Sequence, residues 1–165
     1  MRDNIRGSVV VFIVIGALSA GASLRAQGDP LIGHWMLSVA KSKYEGAPAP
    51  KSEMRVYEAF GGAGKGIKGT FDRVDGAGKK ITISYAAMYD GKDYKYNGPD
   101  ADTIALARPN ANTLDATLKR GGKVVQTTHS VISADGKTRT QMATGTDAQG
   151  RKFTITAVFE KQTTS

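Results

Sequence analysis

From Gly33 onward the chain repeats one pattern: short runs with apolar side chains at every second position, each followed by a turn that carries glycine or proline. Side chains alternate faces with period two only in an extended strand. No window of about ten to twelve residues places apolar groups at helical spacing. The pattern therefore predicts an all-β chain.

Ten such runs can be read. The first presents Gly33, Trp35, Leu37 and Val39 on one side, the second Met54 and Val56, the third Ile67, Gly69 and Phe71. The fourth is the most regular, with Ile81, Ile83, Tyr85 and Ala87 alternating against Thr82, Ser84 and Ala86. Tyr94 and Tyr96 mark the fifth, Ile104 and Leu106 the sixth, and Leu114, Ala116 and Leu118 the seventh. The eighth presents Val125, Thr127, His129 and Val131, the ninth Thr138, Thr140, Met142 and Thr144, and the tenth Phe153, Ile155, Ala157 and Phe159. Each set is expected to face the core.

The links are hairpin-like. Asp75-Gly76, Asp90-Gly91, Gly121-Gly122, Asp135-Gly136 and Gln149-Gly150 are turn pairs in which glycine takes the positive φ at little cost. Consecutive strands joined this way form an antiparallel up-and-down meander, and eight to ten of them remove their exposed edges by closing into a barrel. A flat sheet or a two-layer sandwich is the alternative. One long connection, Lys41 to Ser52, holds Pro48 and Pro50, which argue against a long helix there.

Ahead of the strands, Arg2 and Arg6 precede an apolar stretch from Val9 to Leu24 that contains Gly16, Ser19, Gly21 and Ser23 and ends in Leu24-Arg25-Ala26. These are the parts of a secretory signal peptide, expected over residues 1 to 26, with the barrel domain over 27 to 165. The stretch is weaker than the roughly 20 strongly apolar residues a spanning helix needs, so an uncleaved anchor is the lesser reading and no stable membrane span is expected after cleavage. The expected destination is the periplasm or the exterior. The chain has no cysteine, so disulfides, thiol nucleophiles and cysteine-based zinc sites are excluded.

The net charge is +8, yet lysine and arginine are scattered through strands and turns instead of forming a block. That distribution describes a solvated basic surface better than a nucleic-acid footprint. Gly64-Lys65-Gly66-Ile67-Lys68-Gly69 matches the dinucleotide fingerprint in letters only, because a strand and not a helix N-terminus follows it.

Gly33-His34-Trp35 opens the first strand and Phe159-Glu160-Lys161 closes the last. This resembles the Gly-x-Trp start and aromatic-Glu-Lys finish of the lipocalin and fatty-acid-binding superfamily, and Lys41-Ser42-Lys43-Tyr44 resembles the same stretch of small exported lipocalin-like bacterial proteins. The resemblance implies a lipocalin-like barrel and, by analogy, a lipophilic ligand. The chain departs from it in lacking a helix-pair lid, a Thr-Asp-Tyr motif and a last-strand arginine. Lys161 is expected to take the arginine's place over the Trp35 ring.

Candidate ligand contacts are Trp35, Phe71, Tyr85, His129, Met142 and Phe153. Trp35, the sole tryptophan, is large enough to plug one barrel end, which is its more conservative reading. Tyr85, in phase with Ile81 and Ile83, has the best case among the tyrosines for a pocket wall. If Thr127, His129, Thr138, Thr140 and Thr144 face inward, their small hydroxylated side chains leave a partly polar cavity. A one-residue shift of phase would turn them to water instead.

The two histidines have no third ligand at a metal-binding spacing, and Asp90, Asp93, Asn97, Asp100 and Asp102 fit Asx turns better than a calcium loop. No cofactor or metal is expected, nor an ordered catalytic set, although an enzyme using His129 with a neighbouring carboxylate is a third reading. The leading expectation is an exported, non-enzymatic protein that binds a small apolar or amphipathic molecule. The alternative is a cell-envelope structural or interaction module with a filled barrel.

Overall fold

The computed structural model describes residues 28–163. The signal-peptide reading of residues 1 to 26 lies outside them. Eleven strands follow one another: β1 (Gly33–Leu37), β2 (Lys43–Glu45), β3 (Ser52–Ala59), β4 (Gly66–Val74), β5 (Lys80–Met88), β6 (Tyr94–Asn97), β7 (Thr103–Asn110), β8 (Thr113–Arg120), β9 (Lys123–Ile132), β10 (Thr138–Thr146) and β11 (Lys152–Gln162). A single 3-10 turn, Val39–Lys41, separates β1 from β2.

From β3 to β11 every strand pairs antiparallel with the next, and β1 closes the ring by pairing with both β3 and β11. β1 takes the C-terminal part of β11 (Leu37 opposite Phe159), while β2 takes the part before it (Tyr44 opposite Ile155). The two therefore share one edge of β11, and the barrel has ten positions around its wall. β2 lies within the connection Lys41 to Ser52, where no strand is expected from the sequence. Three residues, Lys43-Tyr44-Glu45, are too few to show a period.

Six of the ten expected inward faces hold as read, among them Ile83, Tyr85 and Ala87 on β5 and Leu114 and Leu118 on β8, all buried. On β1, Trp35 and Leu37 are buried but Val39 lies past the strand in the 3-10 turn and is exposed. Gly69 makes room for this packing: a Cβ there would stand 2.8 Å from Tyr85 Cζ, so the tyrosine ring lies across a position only glycine leaves open.

Three faces are reversed. β3 turns Glu53, Arg55 and Tyr57 inward, with Met54 and Val56 on the outer side. β9 turns Thr128, Ser130 and Ile132 inward, and β10 turns Arg139, Gln141 and Ala143 inward. A register irregularity explains the phase of β9. Leu118 pairs with Gln126 but Lys119 with Val124, so Val125 is the extra residue of a bulge and everything after it changes face. The threonine-lined cavity wall expected from Thr127, Thr138, Thr140 and Thr144 is thus corrected: these residues are on the outer surface or its rim.

One end of the barrel is shut. Trp35 is fully buried there, its Nε1 donating to the Leu31 carbonyl at 2.8 Å. Lys161 Nζ lies 5.2 Å from the centroid of the indole and donates to the Pro30 carbonyl at 2.7 Å. Arg108 grips the Asp29 carboxylate with both terminal nitrogens, at 2.6 and 3.0 Å, and so pins the segment that crosses this end.

Candidate functional site

Inside the barrel lies a cavity of about 360 Å³, within the usual range for small-molecule sites. Its lining includes Pro48 and Pro50 of the β2–β3 loop, and Asp75, Asp100 and Asp147 of the turns at the same end. Trp35 and Leu31, at the other end, do not line it. The space is therefore a blind pocket opening between the loops opposite the Trp35 plug.

Its two halves differ. Toward the mouth, beside the charged Glu53 and Arg73 of β3 and β4, the wall is formed by the apolar Ile81, Ile104, Leu118, Phe153 and Ile155. These come from the ends of strands that obey the period-two rule, so plain burial of alternate apolar residues places them. Deeper in, the lining is polar: Arg55 and Tyr57 from β3, Ser130 from β9, Arg139 and Gln141 from β10.

Charged groups inside a barrel must be paired to remain. Glu53, only 3% exposed, does this for two arginines at once: Arg55 Nε donates to Oε1 at 2.5 Å and Arg73 Nε to Oε2 at 2.6 Å. Burial alone would push the Glu53 carboxyl up, but the fields of Arg55 and Arg73 and their hydrogen bonds hold it below the ordinary range. The Arg55 guanidinium is also sandwiched between the rings of Phe71 (4.5 Å) and Phe159 (4.2 Å) and donates to Gln141 Oε1 at 2.6 Å. Its pKa is raised, the attraction of Glu53 outweighing burial.

Arg139 is different. It is 2% exposed, and its terminal nitrogens donate only to neutral groups: the Tyr57 hydroxyl, Ser130 Oγ at 3.0 Å and Gln141 Oε1 at 3.3 Å. No described carboxylate reaches it, and its Nε–H has no hydrogen-bond partner among the described protein atoms. A buried guanidinium in this state favours any anion that can approach it. Tyr57 responds to the same field: burial would raise its hydroxyl pKa, but Arg139 and then Arg55 bring it below the usual value. Tyr85, which lies across Gly69, the residue opposite Tyr57, is pushed well above it by burial.

Of the six candidate contacts, Phe71, Tyr85 and Phe153 line the cavity together. Trp35 is the plug beneath it. His129 and Met142 are corrected: they are cross-strand neighbours on the outer face, where Met142 is 53% exposed and His129 Nδ1 pairs with Asp115 Oδ1 at 2.6 Å. The cluster that sequence reasoning missed is Glu53, Arg55, Tyr57, Arg139 and Gln141. Its signal is charged or strongly polar residues two apart, Glu53-x-Arg55 and Arg139-x-Gln141, inside runs that otherwise read as strands. Among the described residues, no group of three or more His, Asp or Glu side chains is gathered as a metal would need.

The closed antiparallel barrel is compatible with a calycin-type scaffold. No family model, no curated protein and no solved structure matches the chain.

Proposed function

We propose that this protein is an exported, non-enzymatic carrier of a small amphipathic molecule with an acidic head, held inside the barrel. The observation that supports this most is the buried Arg139, which no carboxylate of the described residues reaches, at the floor of a 360 Å³ cavity whose upper walls carry Ile104, Leu118 and Phe153. An acid head against Arg139 supplies the missing negative charge, and a hydrocarbon tail running toward the mouth covers Ile104, Leu118 and Phe153. Export is supported by the signal-like leader, and kinship with lipocalin-like barrels by the Trp35 plug and the Lys161 cation over it.

A filled barrel acting only through its surface is the weaker reading, since it leaves the open interior and the unpaired guanidinium without purpose. Native mass spectrometry on freshly purified protein tests the proposal. The expected result is a satellite peak from a bound organic acid, lost on collisional activation. A single unliganded species that also fails to take up added decanoate contradicts it.

A further inference from the structure

Resting on that reading, we infer that Tyr57 and the acid head of the ligand are alternative anionic partners of Arg139, so that each molecule of acid is held only while Tyr57 keeps its proton.

The geometry is a cluster with one negative charge too few. Arg139 reaches across the interior from β10 to the Tyr57 hydroxyl on β3, and its Cζ stands 4.9 Å from the tyrosine ring. Arg55, on the same strand as Tyr57 and facing the same way, is committed to Glu53, which it shares with Arg73. The other neighbours bring no charge. β4 offers the Phe71 ring, edge-on at 5.6 Å, and β5 offers Tyr85, whose burial keeps it protonated. β9 offers the Ser130 hydroxyl, and β11 the Phe159 ring beside both guanidiniums. Lys161 lies beyond the floor, on Trp35. Among the described residues Tyr57 is thus the acid whose hydroxyl Arg139 contacts directly, and the field of Arg139 and Arg55 favours its phenolate.

The exchange balances. With ligand bound, the carboxylate faces Arg139 and Tyr57 is a neutral phenol. As pH rises, the phenol gives its proton to solvent, the phenolate pairs with Arg139, and the carboxylate leaves as an anion. One proton lost per ligand released makes affinity fall about tenfold per pH unit once Tyr57 begins to ionise.

The test is a calorimetric titration of the whole protein with decanoate from about pH 6 to about pH 10, a range in which the ligand is fully ionised. It is paired with tyrosinate absorbance recorded with and without decanoate. The expected result is affinity level at low pH and then falling with that slope. Decanoate should also shift one tyrosinate transition upward in pH, and affinity in Tyr57→Phe should stay level across the range. Decanoate that binds with equal affinity throughout, leaving the tyrosinate curve unmoved, overturns the inference and leaves the carrier reading standing. No binding at any pH overturns both.

Discussion

Glu53 and Arg55 stand two residues apart on β3, both inside the barrel, and the Arg55 Nε donates to the Glu53 carboxylate at 2.5 Å. A strand places positions i and i+2 on one face, so this pair sits together by backbone geometry before any tertiary contact forms. It anchors the polar half of the interior, because Glu53 holds Arg73 as well and Arg55 reaches on to Gln141.

Replacing Glu53 should therefore be among the costliest single changes. Glu53→Gln leaves Arg55 buried without a counter-charge, and the loss is expected to be about 3–5 kcal/mol. Equilibrium urea unfolding of the two proteins at neutral pH measures it.

The same carboxylate fixes an acid sensitivity. Its pKa in the folded protein is lowered from the ordinary value of 4.5. A depressed carboxylate stabilises the fold fully above its unfolded pKa, and that contribution drains away as pH falls through the folded value. Stability of the wild type should be level from neutrality down to about pH 5 and decline below it. Glu53→Gln should show a shallower decline over the same interval, followed by urea midpoints at successive pH values.

Arg139 should behave in the opposite sense to Arg55. A buried guanidinium without a carboxylate contributes little to stability, so Arg139→Met is expected to leave the protein as stable as the wild type or up to about 1–4 kcal/mol more stable. Arg55→Met strands Glu53 and should destabilise. Thermal unfolding of the two variants distinguishes them, and a strongly destabilised Arg139→Met would assign that residue to the scaffold.

Trp35 plugs the closed end and does not border the cavity. Trp35→Ala should cost about 3–5 kcal/mol, and in the wild type the Trp35 emission should resist a soluble quencher. By contrast His129→Ala and Met142→Ala, on the outer face, should change stability by no more than about 0.5 kcal/mol and leave ligand affinity unaltered.

Much of the architecture was legible because its causes are local. Period-two runs such as Ile81 to Ala87, the glycine turns and the Trp35 and Lys161 termini specify strands, hairpins and closure without reference to the rest of the molecule. The site was legible only on its apolar side, at Phe71, Tyr85 and Phe153. The more apolar alternate positions of a strand are expected to point inward, and on β3 that rule selects Met54 and Val56 over Glu53, Arg55 and Tyr57, which are the buried ones. A barrel that keeps an ionic cluster inside breaks the rule at the positions where its interior is specialised. On β9 the bulge at Val125 reversed the phase, and nothing in the run Val125 to Val131 announces an extra residue. His129 is misplaced for that reason, and Met142 because on β10 the inward positions are the polar Arg139 and Gln141.

The central claim is that the interior receives an acid head at Arg139, and a comparison of decanoate with decanol by isothermal titration calorimetry tests it most directly. The account predicts one site per chain with decanoate bound at least about tenfold more tightly than the alcohol, a preference that disappears in Arg139→Met. Equal affinities for the two ligands, or a preference that survives in Arg139→Met, would contradict it.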